Sequence, residues 1–442
     1  MKVTMLGAGS LGFTRRLVAD ILAVEELRDI EIALFDIDPV GLERIGSLLR
    51  KFVEENRLPT RIRTYTDRKA ALEGARYAVS TVRVGGLEAF AKDIEIPLKY
   101  GVDQCVGDTL GPGGVFYALR TIPVLLDFCR DMREVCPDVL FINYSNPMAM
   151  NSWAVLEEGG VRYVGLCHGV QGSHRLLARV LGVPPEELDY VACGINHQTW
   201  FVKLEHKGRD MLPELLPAFR RHPEILECEP VRVDVLERFG YWSTESNGHL
   251  SEYLPWYRKD KEAVERWRYR GSWAGGETGG YLRACRQRWE AFDREYEELS
   301  RSTSRIKLGE RSEEHGSYII EALETGRPYR GCFNVRNGGL IPNLPPECVV
   351  EVPCWVDRTG IHPVRVGPLP AHLAAPLRWS VTVQELAVRA ALTGDRHLVK
   401  MAVLHDPLTA ACCDTETVWR MVDEMFEAEA EWLPQFRPAE AG

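Results

Sequence analysis

Over the first 165 residues the apolar positions come in short runs, separated by stretches of helical spacing. Met1-Lys2-Val3-Thr4-Met5-Leu6 opens the chain as a buried strand. Phe13, Leu17, Ile21 and Leu22 then recur at helical spacing. Further strand-like runs are Ile30 to Phe35, Tyr77 to Val82, Val139 to Tyr144 and Arg162 to Cys167. This alternation predicts an α/β domain over residues 1–170, a doubly wound parallel sheet of Rossmann type. Beyond residue 170 the alternation is lost. Leu215 to Tyr296 reads as mostly helical, Val335 to Val366 as strands broken by Pro and Gly, and Ser380 to Leu404 as helical again. Residues 171–442 are therefore expected to form one α+β domain for substrate contacts and oligomerisation. The tail from Glu427 is acidic and contains Pro, and its last residues are expected to be loose.

Between the first strand and helix lies Gly7-Ala8-Gly9-Ser10-Leu11-Gly12. A G-x-G-x-x-G turn in this setting binds a dinucleotide. Gly7 turns the chain, Gly9 lets a pyrophosphate approach, and Gly12 lets the helix pack close. The helix N-terminus offers its free N–H groups to the phosphates. The second strand ends at Asp36, where a carboxylate accepts ribose hydroxyls and favours NAD over NADP. Gly7, Gly9, Ser10, Leu11, Gly12, Asp36 and the strand-end Arg83 are thus the expected cofactor contacts. The bland alternative is a glycine turn that holds no nucleotide. Ligands of such sheets sit at the carboxyl ends of the strands. That singles out Arg83-Val84-Gly85-Gly86, Ser145-Asn146-Pro147 and Cys167-His168-Gly169.

Composition narrows the classes. The 442 residues are 45% hydrophobic and 27% charged, with a net charge of −10. An acidic chain makes a nucleic-acid partner unexpected, and no run is long enough to span a membrane. With no signal peptide before the first strand, a cytoplasmic location is expected. The 12 cysteines form no C-x-x-C pair and read as thiols.

Cys167-His168 and Asn196-His197 are the first candidates for chemistry, since thiolate and imidazole both bind divalent transition metals. A buried strand-end thiol and a satisfied core histidine are the bland readings. Asp103 to Gly114 is a glycine-rich loop with two acids, Asp103 and Asp108. Tyr241 to Tyr253 is a polar and aromatic cluster, blandly a helix cap with packing rings. The Trp and Arg run from Arg266 to Trp289 reads as a helix face or subunit contact.

Together these segments resemble glycoside hydrolase family 4. The resemblance rests on Gly7–Gly12, Ile96-Pro97-Leu98-Lys99-Tyr100-Gly101, Gly107–Gly114, Asn143-Tyr144-Ser145-Asn146-Pro147-Met148, Cys167-His168-Gly169-Val170 and Gly194-Ile195-Asn196-His197. It continues through Glu314-His315-Gly316-Ser317, Asn343-Leu344-Pro345 and Val349 to Pro353. It implies a C-terminal domain of the lactate/malate dehydrogenase-like type. It also implies α-glycoside hydrolysis with NAD and a divalent metal, usually Mn²⁺. The sugar is oxidised at C3, a tyrosinate takes the C2 proton, the aglycone leaves, water adds, and the hydride returns. The matching residues are Cys167 and His197 as metal ligands and Asn146 as a substrate contact. Asp108 matches the acid that makes the tyrosine basic, Tyr253 the base (Tyr241 the runner-up), and His168 the leaving-group acid. Lys92 falls where phosphosugar members carry an arginine. A homodimer or homotetramer is implied.

Within that resemblance, Cys167-His168-Gly169 favours an α-glucuronidase acting on a uronic acid α-glycoside. Gly169 would leave room for a C6 carboxylate or its cationic partner. α-Galacturonidase, α-galactosidase and α-glucosidase are the alternatives in the family. A 2-hydroxy-acid dehydrogenase and a silent NAD-binding protein are the alternatives outside it.

Overall fold

The computed structural model describes residues 1–9, 12–269, 275–301 and 308–436. Its strands are β1 (Lys2–Leu6), β2 (Glu31–Phe35), β3 (Arg61–Tyr65), β4 (Tyr77–Ser80), β5 (Leu140–Asn143) and β6 (Arg162–Gly165). The second half adds β7 (Leu188–Ile195), β8 (Gln198–His206), β9 (Arg209–Asp210), β10 (Trp242–Ser243), β11 (Tyr329–Arg336), β12 (Val349–Asp357) and β13 (Gly360–Pro363). The first six are parallel in the order β3-β2-β1-β4-β5-β6. This is the Rossmann order, with its switch point between β1 and β4. Strand β3 was not evident from the pattern. It is an edge strand in which only Ile62 is buried, so R-I-R-T-Y carries little apolar signal.

The second half does not build a separate sheet. Strand β11 pairs antiparallel with β6, and β12, β7, β8 and β10 extend the same sheet outward. Two narrow junctions join these parts, Gly165 opposite Asn334 and Gly194 opposite Glu351. A Cβ at Gly194 would lie 2.5 Å from the Gln198 carbonyl oxygen, and one at Gly165 2.6 Å from Met148 Sδ. Neither junction has space for a side chain. Among the described residues no helix is long and apolar enough to cross a membrane. All 12 cysteines are free thiols.

The described chain continues past Glu427 to Phe436, and the last residues, 437–442, lie outside the described residues. Residues Thr415–Ala428 form a helix, and Glu429 behind it is fully buried. Its carboxylate pairs with Arg120, which also holds Asp93 through contacts of 2.7 and 2.9 Å. Burial pushes both carboxyls above their usual range, and Arg120 opposes that. Removing Arg120 leaves two buried acids without the cation they share. Arg120→Met is expected to cost about 3–5 kcal/mol of stability. Urea titration of both proteins checks this, and a loss below about 1 kcal/mol would contradict it.

Candidate active site

A cleft of about 590 Å³ opens at the carboxyl ends of β4, β5 and β6. Its walls come from the turn after each of these strands, the β7–β8 hairpin, and the helices Asn247–Tyr253 and Gly280–Glu290. Arg83, Asp108, Asn146, Cys167, His168 and His197 all line it. Residues far apart in sequence are thus brought together where the switch-point rule puts ligands.

His197 sits in the tight turn between β7 and β8 at φ +63°. A non-glycine residue there costs about 1–2 kcal/mol, so the hairpin and its neighbours hold the ring in place. Nδ1 lies 2.8 Å from Thr109 Oγ1, and that hydroxyl donates to Asp108 Oδ1 at 2.8 Å. Thr109 has one proton, given to Asp108, so its oxygen accepts from His197 Nδ1–H. The lone pair on Nε2 is left for the cleft. Asp108 Oδ2 accepts from Asn146 Nδ2 at 3.0 Å.

Facing Nε2 are Cys167, after β6, and Glu245, after β10. Cys167 Sγ is 3.6 Å from Glu245 Oε2, and His197 Nε2 is 4.0 Å from the same oxygen. The three ligand atoms lie within 4.8 Å of one another. Burial, then Glu245 and Glu351, push the Cys167 thiol well above its usual range. Burial alone would raise Glu245 too. The surrounding His197, His249, His168 and Arg232 outweigh it and hold that carboxyl at about 2. Thiol, imidazole and carboxylate converging on one point fit a divalent cation, which would draw the proton from sulfur. A second convergence, Asp108, His197 and His249, shares the same imidazole.

Across the cleft, Arg83 is stacked among rings. Its guanidinium is 4.4 Å from the Phe90 centroid, 5.0 Å from Tyr117 and 5.4 Å from Tyr281. Nη2 donates to the Tyr281 hydroxyl at 3.3 Å. Nη1 is buried with no hydrogen-bond partner among the described residues. Burial raises the Tyr281 phenol, Arg83 opposes the rise, and Asp108 adds to it. At the rim, His168 Nδ1 is 3.2 Å from Glu314 Oε1, and this bond raises the imidazole to about 9.

Three expected residues lie elsewhere. Tyr253 is fully buried behind His197, its hydroxyl 3.4 Å from Nδ1 on the side away from the cleft ligands. A base there would have to act through the imidazole. Tyr241 packs on His372 with ring centroids 6.1 Å apart, outside the cleft lining. Lys92 turns toward the C-terminal segment. Its Nζ bonds the Ala428 carbonyl at 2.9 Å, sits 4.3 Å over the Trp432 ring, and is not part of the cleft.

At the described residues of the glycine turn, part of the rationale changes. Gly7 has φ +79° and a Cβ there would meet Val82. Gly9 N–H donates to Asp36 Oδ2 at 2.7 Å, and a Cβ at Gly9 would lie 2.9 Å from that oxygen. The bare backbone at Gly9 thus makes room for Asp36 itself. A Cβ at Gly12 would meet nothing within 4 Å, so close helix packing does not explain it. Ser10 and Leu11 lie outside the described residues.

Cleft residues that the sequence does not single out include Tyr281, Glu245, His249 and Arg288. Tyr281 and Arg288 hid in the run taken for a helix face. Glu245 and His249 hid in the cluster taken for a cap, and Ser246 does cap that helix. Gly279-Gly280 just before Tyr281 was the available signal, a glycine pair presenting a phenol at a helix start.

The sequence profile described as Family 4 glycosyl hydrolase matches residues 2–183, and that of the family's C-terminal domain matches residues 192–409. The chain belongs to the family 4 glycosyl hydrolases. It is 55% identical to an α-galactosidase of Rhizobium meliloti (strain 1021), over 99% of this chain and 90% of that one. It is 36% identical to an α-galactosidase of Bacillus subtilis (strain 168), over 99% of this chain and all of the other. A solved 6-phospho-α-glucosidase from gut microorganisms, in complex with NAD and Mn²⁺, superimposes with a TM-score of 0.83. That pair is 23% identical and covers 99% of each chain. Membership in a glycosidase family replaces the 2-hydroxy-acid dehydrogenase alternative.

Proposed function

We propose that this family 4 glycosidase hydrolyses α-galactosides with NAD⁺ and Mn²⁺ as cofactors. The observation that carries the reading is the single cleft that joins Cys167, His197 and Glu245 to Tyr281 and Arg83. The chain's 55% and 36% identity to two α-galactosidases supports the sugar. When bound, NAD⁺ supplies a hydride acceptor and the metal a Lewis acid at the ring hydroxyls.

The chain's own groups then have distinct tasks. Tyr281 takes the ring proton at C2, and the Arg83 guanidinium beside it favours the phenolate. Asn146 positions ring hydroxyls. Asp108 and Thr109 hold His197 in the tautomer that leaves Nε2 free. His168, kept protonated by Glu314, gives a proton to the departing oxygen. Asp36 accepts from the ribose hydroxyls of NAD⁺ with the lone pairs left by Gly9 and Asp38.

An α-glucuronidase is the second reading, favoured by Cys167-His168-Gly169. Against it, the room beside Gly169 is filled by the Glu245 carboxylate. A uronate there would face an anion rather than a cation. Turnover of p-nitrophenyl α-galactoside, α-glucuronide and α-galacturonide with NAD⁺ and Mn²⁺ tests the choice. The galactoside should exceed both uronides at least tenfold in kcat/KM, about 1.4 kcal/mol, and a faster uronide would overturn the assignment.

Two residue roles are open to direct measurement. Asp36→Arg should weaken NAD⁺ binding by roughly 10- to 100-fold, the worth of hydrogen bonds to a charged group. Calorimetry giving unchanged affinity would remove Asp36 from the site. His168→Ala should slow hydrolysis of an alkyl α-galactoside by about 10²–10⁴-fold. A nitrophenyl galactoside needs little help with its leaving group and should lose far less. Equal losses on both substrates would mean that His168 is not the acid.

A further inference from the structure

With Glu245 placed as it is, any side chain at position 169 would have to displace its carboxylate. A Cβ there would overlap Glu245 Oε2 and lie 2.8 Å from Cδ. The carboxylate therefore uses the volume that any other residue at 169 would fill. Its backbone is pinned separately: Arg232 Nη1 donates to the Glu245 carbonyl oxygen at 2.9 Å, while Arg232 Nη2 pairs with Glu229 at 2.7 Å. The carboxylate is left pointing between a thiol and an imidazole, 3.6 and 4.0 Å away. Ligands at right angles on one cation stand about 3–3.7 Å apart for bonds of about 2.0–2.6 Å.

We propose that Glu245 is a third protein ligand of the metal, admitted by Gly169, and that it gives the site its preference for Mn²⁺. The proposal rests on the metal-dependent reading above. Thiolate and imidazole by themselves suit softer ions, whereas Mn²⁺ favours carboxylate oxygen. The competing trio of Asp108, His197 and His249 is less suited. Both Asp108 oxygens already accept hydrogen bonds, from Thr109 and Asn146, and Nε2 of His197 faces Glu245.

The test titrates Mn²⁺ and Co²⁺ into metal-free full-length protein, with free Mn²⁺ read by electron paramagnetic resonance. Glu245→Gln and Gly169→Ala should each weaken Mn²⁺ at least tenfold and Co²⁺ less. The double variant should be no worse than Glu245→Gln, because the carboxylate ligand that Gly169→Ala would displace is already gone. The thiolate-to-Co²⁺ charge-transfer band should persist in Glu245→Gln and vanish in Cys167→Ser. NAD⁺ affinity and metal-free Tm serve as checks on folding. Mn²⁺ affinity within twofold of wild type in Glu245→Gln, with Cys167→Ser still impaired, would overturn the third ligand and leave the site. Unchanged binding in both variants would overturn the metal site itself.

Discussion

Tyr281→Phe should lower kcat by about 10²–10⁴-fold, the usual worth of a positioned general base. The phenol is the proton acceptor in the cleft that has a guanidinium at hydrogen-bond distance, 3.3 Å from Arg83. Arg83 remains cationic in a buried site, so it stabilises a phenolate where water does so poorly. NAD⁺ affinity should stay within twofold, since the fold and the glycine turn are untouched. Tyr253→Phe should do much less, because its hydroxyl lies behind His197. If Tyr253→Phe proved the more damaging change, the base would be misassigned and His197 would have to relay the proton.

Withdrawing the metal should have a similarly large effect. Chelation followed by dialysis should reduce turnover by about 10³-fold or more, in line with several kcal/mol of lost charge stabilisation. Returning Mn²⁺ should restore the wild type. Cys167→Ser should not recover, because a neutral hydroxyl replaces a thiolate. Both effects belong to the same trio of side chains: the cleft otherwise gathers a thiol and a carboxylate 3.6 Å apart with no fixed cation between them. Full activity after chelation would contradict the reading.

What the sequence disclosed follows from range. Strands β1, β2, β4 and β5 are buried on both faces, so their apolar runs stood out, and the glycine turn named the cofactor end of the sheet. Cys167 and His197 were readable because each ends or joins a strand. Glu245 and Tyr281 were not. Each lies in a polar stretch whose local pattern is that of an ordinary cap or helix face, and only the packing of distant segments turns it inward. Gly169 was noticed for the room it leaves, but what fills that room is 76 positions away. The buried Glu429 was hidden in the same way, in an acidic tail whose partner Arg120 lies in the first half of the chain.

The central claim is that Tyr281 removes a carbon-bound proton from the sugar, which direct displacement by water never does. Hydrolysis of an α-galactoside in D₂O, followed by proton NMR of the released sugar, tests it. Deuterium at C2 of the product is expected, with loss of that label's rate in Tyr281→Phe. Sugar released with C2 still fully protonated would contradict it.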